Sequence, residues 1–154
     1  MPYHSHHNHK QCISQALHQA DRLCHQHGQK LTPIRKKILE LVWQSHKPIK
    51  AYDLLAMLDK DDGASAPPTV YRALDFLLDQ RLVHKIESLN SFVGCPHPGD
   101  EHQCQFFVCN TCHNVTEMCH DELSQVITAS CQKNGYRVES MILEIHGQCP
   151  ECLG

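Results

Sequence analysis

Side chains able to bind metal crowd the stretch from Cys95 to Glu117 and return at the C-terminus. Cys109 and Cys112 form one Cys-x-x-Cys, and Cys149 with Cys152 forms another. Two such pairs supply four thiolates, the number that closes a tetrahedral zinc site; with every position filled, such a site is structural rather than catalytic. Thirty-six residues separate Cys112 from Cys149, more than a simple zinc ribbon needs. A helix and a strand inserted between the two knuckles account for that length. The metal would then pin the C-terminus back to the first strand of its unit.

Cys95, His97, His102, Cys104, His113 and Glu117 lie in the same stretch, outside this cage. A second, more open metal site can be drawn from His84, Cys95, His102 and Glu117, a mixed nitrogen, sulfur and oxygen set. Its one thiolate favours zinc over iron(II) or manganese(II), and four ligands suit tetrahedral geometry. Spacing alone does not choose these four over His97, Cys104 or His113.

The elements that would carry these residues fall into two groups. Cys12, Ile13, Ala16, Leu17, Ala20, Leu23 and Cys24 repeat at helical spacing, and Gly28 can end that helix. Cys12 and Cys24 belong to its apolar stripe and read as small core residues. Thr32-Pro33 is an N-cap followed by proline at the first helical position, opening a helix that buries Ile34, Ile38, Leu41 and Val42. A third helix is expected over Ala51–Leu58, then a polar connector from Asp59, then a fourth helix from Val70 to about Gln80 introduced by Pro67-Pro68-Thr69. Leu82–Glu87 and Phe92-Val93, separated by a Leu-Asn-Ser turn, read as a two-stranded hairpin. Helices followed by such a hairpin make the winged helix-turn-helix pattern, in which the first turn of the last helix reaches base edges. Tyr71 and Arg72 occupy that turn.

After a Pro/Gly hinge at residues 95–101, the second group comprises strands near Gln105–Val108 and Asn114–Met118 and a helix at Asp121–Lys133. A long strand from Tyr136 to Ile145 is expected to follow. It carries apolar residues on both faces, as a strand covered on two sides would, one of them by a dimer partner. The fold class is therefore α+β: a winged-helix DNA-binding domain over residues 11–94, the hinge, and a small α/β metal-binding domain over 102–154. Residues 1–10, with four histidines, are expected to be a disordered tail.

Composition fits this division. At 154 residues the chain suits one ordinary domain or two small ones, and small ones gain folding energy from a metal staple. Residues 1–86 carry twelve Lys and Arg against eight Asp and Glu, whereas 87–154 carry two against nine. The basic excess does not by itself assign a nucleic-acid partner. No apolar run is long enough to span a bilayer, and no secretory signal is evident, so the cytoplasm is expected, with ten cysteines as reduced thiols.

Leu31-Thr-Pro-Ile-Arg-Lys, Ala51-Tyr-Asp-Leu-Leu and Pro67-Pro-Thr-Val-Tyr-Arg-Ala-Leu-Asp-Phe-Leu resemble the DNA-binding domain of the ferric uptake regulator family. The resemblance continues through Leu82-Val-His-Lys-Ile-Glu-Ser, Phe107-Val-Cys-Asn-Thr-Cys and His146-Gly-Gln-Cys-Pro-Glu-Cys, covering about residues 12 to 153. Within the family the chain looks most like the zinc uptake regulator branch, because the His-His-x-His run usual before the first Cys-x-x-Cys in the iron-sensing branch is absent. The resemblance implies a bacterial cytoplasmic homodimer with two zinc ions per chain. Cys109, Cys112, Cys149 and Cys152 would hold the structural ion, and His84, Cys95, His102 and Glu117 the regulatory one. It also implies that the dimer is joined through the C-terminal unit and that the fourth helix reads operator DNA. On that helix Tyr71 and Arg72 are expected to give base and backbone contacts, with Thr69, Tyr52, Arg35 and Lys36 as candidates for phosphate.

The expected function is a zinc-responsive repressor of zinc-uptake genes, with no membrane or small-molecule substrate. Iron, nickel or manganese sensing and zinc storage are the competing readings. An enzyme is not expected: a zinc deaminase needs a His-x-Glu together with a Pro-Cys-x-x-Cys, and no Pro-Cys-x-x-Cys occurs in this sequence.

Overall fold

A computed structural model describes residues 9–44, 47–62, 67–99 and 103–154. Residues 1–8 of the expected tail, 63–66 of the expected polar connector and part of the hinge, including His102, lie outside the described residues; residues 9–10 and 59–62, expected in the tail and the connector, are helical. The chain divides into two compact units, one running up to Gly99 and the other from Asp100 to Gly154.

The first unit is built from α1 (His9–Gln26), α2 (Pro33–Gln44), α3 (Ala51–Asp62) and α4 (Pro67–Asp79), then strands β1 (Val83–Ile86) and β2 (Ser91–Gly94). Helical spacing gives each helix one apolar stripe, and the stripes meet in a single core of Ala20, Cys24, Ile38, Leu41, Val42, Leu54, Leu58, Val70, Leu74 and Leu77. Cys24 is buried there, as its place on the stripe suggested, and Cys12 is half-buried. The start of α2 differs from expectation. Its first turn is closed by the backbone, with the Lys36 N–H donating to the Thr32 carbonyl at 2.9 Å. The Thr32 hydroxyl is buried and makes no hydrogen bond among the described residues, so it does not act as a side-chain cap.

Strand β1 pairs antiparallel with β2 in the register His84 to Val93 and Ile86 to Ser91, across a 3-10 turn over Glu87–Leu89 closed by Asn90 in the left-handed region. The hairpin is tied to the helices by two backbone hydrogen bonds between Ile49 and Phe92, at 2.8 and 3.0 Å.

The second unit holds β3 (Gln105–Cys109), β4 (Val115–Met118), α5 (Asp121–Lys133), β5 (Leu143–Gly147) and the short α6 (Pro150–Leu153). The sheet order is β4-β3-β5, antiparallel on one side and parallel on the other. The last strand is shorter and later than the alternation predicted. β3 begins at Gln105, whose parallel partner is Leu143, so the residues from Tyr136 to Ile142 have no ladder to join. Among the described residues no helix is long and apolar enough to cross a membrane.

Candidate metal centre and nucleic-acid interface

The β3–β4 turn forms the first cysteine knuckle. The Cys109 N–H donates to the Asn114 carbonyl at 3.0 Å, the His113 N–H donates to the Cys109 carbonyl at 2.9 Å, and His113 completes the turn at φ 61. The parallel pairing of β3 with β5 delivers the second knuckle to the same place, with the Asn110 N–H donating to the Gly147 carbonyl at 2.8 Å. A Cβ on Gly147 would lie 3.1 Å from the Phe107 ring, so a side chain there would require the ring to give by a few tenths of an ångström.

The result is a four-thiol cluster. The sulfur atoms of Cys109, Cys112, Cys149 and Cys152 all lie within 4.8 Å of one another, and all four are reduced. Cys112 and Cys149 are 3.8 Å apart. A tetrahedron with zinc–sulfur bonds of ~2.3 Å has an edge of ~3.8 Å, so the Cys112–Cys149 pair already stands at that length and the four residues fit a zinc ion with at most small adjustments of the other pairs.

The backbone already favours thiolate at one corner. The Cys112 N–H, then the Cys149 N–H, lower the Cys109 thiol from 9.0 to about 5; the latter lies 3.4 Å from the sulfur. Cys152 is pushed up to about 12, first by its hydrogen bond with Cys149 and then by burial. One thiolate held by amide donors therefore makes its neighbours keep their protons, and a dication would take the place of those protons.

The residues assigned to the regulatory zinc are carried by both units. On the hairpin, the Cys95 N–H donates to the Leu82 carbonyl at 3.0 Å, which continues the β1–β2 ladder by one pair. Alternation along each strand then sets Cys95 on the same hairpin face as His84, as its diagonal neighbour. His84 is half-buried and Cys95 buried. Gly94, one residue before Cys95, lies against the Trp43 indole so closely that any side chain there would collide with the ring.

In the second unit, β4 carries Glu117 opposite Phe106. Its Oε1 accepts hydrogen bonds from the Cys104 thiol at 2.7 Å and from the Cys119 thiol at 3.5 Å. Burial, then the Glu117 charge, push the Cys119 thiol up. Cys119 was not singled out by sequence reasoning. The signal was available: Cys104 and Cys119 are equally far from the two ends of the turn that joins Cys109 to Asn114. Of the open alternatives, His113 is exposed in the knuckle turn and His97 is exposed after Cys95.

Gln105 also escaped sequence reading. This buried side chain accepts from the His120 N–H at 3.1 Å and donates to the Ser124 hydroxyl and the Gln103 carbonyl, both at 3.0 Å. It fastens the start of α5 to the sheet beside Cys104 and Cys119.

At the candidate nucleic-acid face, Val70, Ala73, Leu74 and Leu77 turn into the core, which leaves Thr69, Tyr71 and Arg72 exposed on the first turns of α4. Tyr71 is 52% and Tyr52, on α3, 77% exposed, high for large aromatic side chains. Arg35 and Lys36 are engaged within the unit. The Arg35 guanidinium lies 3.6 Å from the centre of the Phe76 ring and donates to the Lys30 carbonyl at 2.6 Å. Lys36 pairs with Asp21 at 3.1 Å.

Residues 26–146 match the model of the ferric uptake regulator family. The zinc uptake regulation protein of Escherichia coli (strain K12) is 39% identical over 146 residues, which is 94% of this chain and 85% of that protein. A structure described as a zinc uptake regulator complexed with zinc and DNA aligns with a TM-score of 0.87 and 38% identity, over 92% of this chain and 95% of its own. The crystal structure of holo XcZur aligns at 0.84 and 39% identity, over 92% and 98%.

Proposed function

Because the chain belongs to the ferric uptake regulator family, we propose that it is a zinc-responsive DNA-binding repressor of zinc-uptake genes, working as a cytoplasmic homodimer with two zinc ions per chain. The observation that carries this reading is the likeness, over nearly the whole length of both chains, to a regulator solved with zinc and DNA. It is supported by four thiols spaced for zinc and by an exposed first turn on α4.

Cys109, Cys112, Cys149 and Cys152 would hold the structural ion, which fastens the C-terminal knuckle to β3. His84, Cys95, His102 and Glu117 would hold the regulatory ion. Two of these residues belong to the hairpin unit and Glu117 to the other, so ligation restricts how freely the two units move. In a two-fold dimer that restriction would set two α4 helices about one helical turn, ~34 Å, apart on one face of DNA. Moving such an equilibrium from 1:99 to 99:1 requires roughly 5.5 kcal/mol of differential binding. His84, Cys95, His102 and Glu117 would supply imidazole, thiolate and carboxylate bonds to zinc, and structural zinc sites reach ~10–16 kcal/mol, more than that requirement.

Tyr71 and Arg72 would meet base edges and the sugar-phosphate backbone, with Thr69, Tyr52, Lys36 and Arg35 nearer the phosphates. Dimerisation through the second unit is supported by its apolar exposure: Val126 is 67%, Tyr136 70% and Ile142 62% exposed. The family's regulators, rather than any catalytic constellation, are the basis for reading the chain as a non-enzyme.

The test is a fluorescence-anisotropy titration of labelled promoter DNA from zinc-uptake genes under buffered free zinc, with iron(II), nickel(II) and manganese(II) in parallel. Tight, sequence-selective binding that appears only with zinc is expected. Binding driven equally by iron(II), or absent with every metal, would sink the proposal.

A further inference from the structure

We infer that the second unit carries a metal site of its own, formed by Cys104, Glu117 and Cys119, for a thiophilic dication of the zinc, cobalt and cadmium class. It draws on the regulatory reading above only through Glu117, which both ligand sets would share.

The site follows from register. Gln105 pairs with Met118 and Phe106 with Glu117, so the next pair outward sets Cys104 opposite Cys119. Side chains alternate along a strand, which brings Cys104, Glu117 and Cys119 to one face of the β3–β4 ribbon. Both thiols are aimed at one carboxylate oxygen there, with the Cys104 sulfur 2.7 Å and the Cys119 sulfur 3.5 Å from the same Glu117 Oε1. In a tetrahedral zinc site with bonds of ~2.3 Å to sulfur and ~2.1 Å to oxygen, the sulfur–oxygen edge is ~3.6 Å. Cys119 already stands at that distance. Cys104 would have to withdraw by ~0.9 Å, a small adjustment for a half-buried residue just outside the strand.

The chemistry is also suitable. Two thiolates and a carboxylate carry three negative charges, and the thiol protons now directed at Glu117 mark where a cation would draw its ligands together. Three protein donors leave the fourth position to water, which makes the site exchangeable, unlike the closed four-cysteine site. Cys119 is exposed and provides the entry path. The unit is acidic overall, which attracts cations. Gln105 holds both flanks of the site in place through Gln103 and His120.

The experiment uses the full chain with its structural zinc retained, titrated with cobalt(II) and read by sulfur-to-cobalt charge-transfer absorbance. In a His84→Ala, Cys95→Ser background, one cobalt per chain with a strong sulfur band is expected, and Cys104→Ser with Cys119→Ser should abolish it. Absence of a sulfur band in that background, or its survival after the two further exchanges, would overturn the inference. Should the combined variant not fold, single Cys104→Ser and Cys119→Ser exchanges give the same reading. Each should weaken cobalt binding at least about tenfold, and unchanged affinity in both would overturn it. The regulatory reading is tested separately, by whether Cys95→Ser alone shifts the zinc midpoint of DNA binding.

Discussion

The Arg35 guanidinium is stacked on the ring of Phe76, 3.6 Å from its centre, and so joins α2 to α4 inside the first unit. A cation over an aromatic face contributes about 0.5–1 kcal/mol at an exposed site, and its hydrogen bond to Lys30 adds to that. Arg72, exposed one residue after Tyr71, has no such packing role to perform. Arg35→Ala is therefore expected to lower stability by about 1–2 kcal/mol in chemical denaturation. Arg72→Ala should leave stability within about 0.5 kcal/mol while weakening operator binding by about 1–3 kcal/mol, with relaxed preference at one base pair. Equal operator affinity for Arg72→Ala and the parent chain would remove α4 from the DNA interface.

Trp43 is the only tryptophan in the chain, and Gly94 beside Cys95 rests against its indole. Filling a site at Cys95 and His84 should therefore change intrinsic fluorescence as free zinc rises. Cys95→Ser should keep the fold and move both the fluorescence midpoint and the DNA-binding midpoint to higher free zinc. If Cys95→Ser shifts neither, Cys95 is not a regulatory ligand. Gly94→Ala, which drives a methyl group into the indole, should cost about 1–3 kcal/mol of stability.

Gln105 is a buried amide with its partners in place, so replacing it is costly in a specific way. Gln105→Leu leaves the His120 N–H and the Ser124 hydroxyl without their bonds at the start of α5. A loss of about 1–3 kcal/mol is expected, measured by denaturation of the zinc-loaded chain. Gln105→Glu, which keeps the acceptor, should cost less if the His120 bond dominates.

The metal-stripped, reduced chain should show a pH dependence set by its cysteine cluster. The folded Cys109 thiol lies at about 5, below its ordinary 9.0, so its contribution is present above pH 9 and is lost as pH falls through 5. Cys152 runs the other way: raised to about 12, it contributes below pH 9 and loses that contribution as pH rises towards 12. Stability of this form should therefore climb between about pH 5 and 9 and decline above. Denaturation in chelator across that range checks it, and Cys109→Ser should flatten the rising limb.

Arg81 ends the turn after α4 at φ 57, with its N–H donating to the Leu78 carbonyl at 2.9 Å. A left-handed backbone costs a side-chain-bearing residue roughly 1–2 kcal/mol, and glycine avoids most of that. Arg81→Gly is expected to stabilise the first unit by about 0.5–1 kcal/mol, seen as a raised denaturation midpoint. A lowered midpoint would mean that the Arg81 side chain makes a contact worth more than the strain.

Much of this protein was legible in the chain itself. Each helix of the first unit shows a 3.6-residue apolar stripe, and Pro33 marks the start of α2, whereas α4 begins at Pro67, three residues before the expected Val70. Alternation marked the hairpin, and α5 spans the residues its pattern indicated, Asp121–Lys133. The paired Cys-x-x-Cys was informative because four free thiols at fixed local spacing have few other uses than holding a metal.

These signals share one property: each is local, written in residues a few positions apart. What depended on partners distant in sequence was not legible. The strand expected from Tyr136 begins only at Leu143, because a strand exists where another backbone offers hydrogen bonds, and β3 offers none before Gln105. The Thr32 hydroxyl looked like a cap until its burial without a partner, and the Phe76 ring beneath the Arg35 guanidinium was not foreseen. The convergence of Cys104 and Cys119 on one oxygen of Glu117 required the β3–β4 register, since a slip of one residue would turn Cys104 to the face opposite Cys119 and Glu117. Sequence alone determined which side chains can bind metal and which stripes are apolar, because those follow from residue type and local periodicity. Only the tertiary structure decided which donor atoms meet, because that depends on register between strands far apart in the chain.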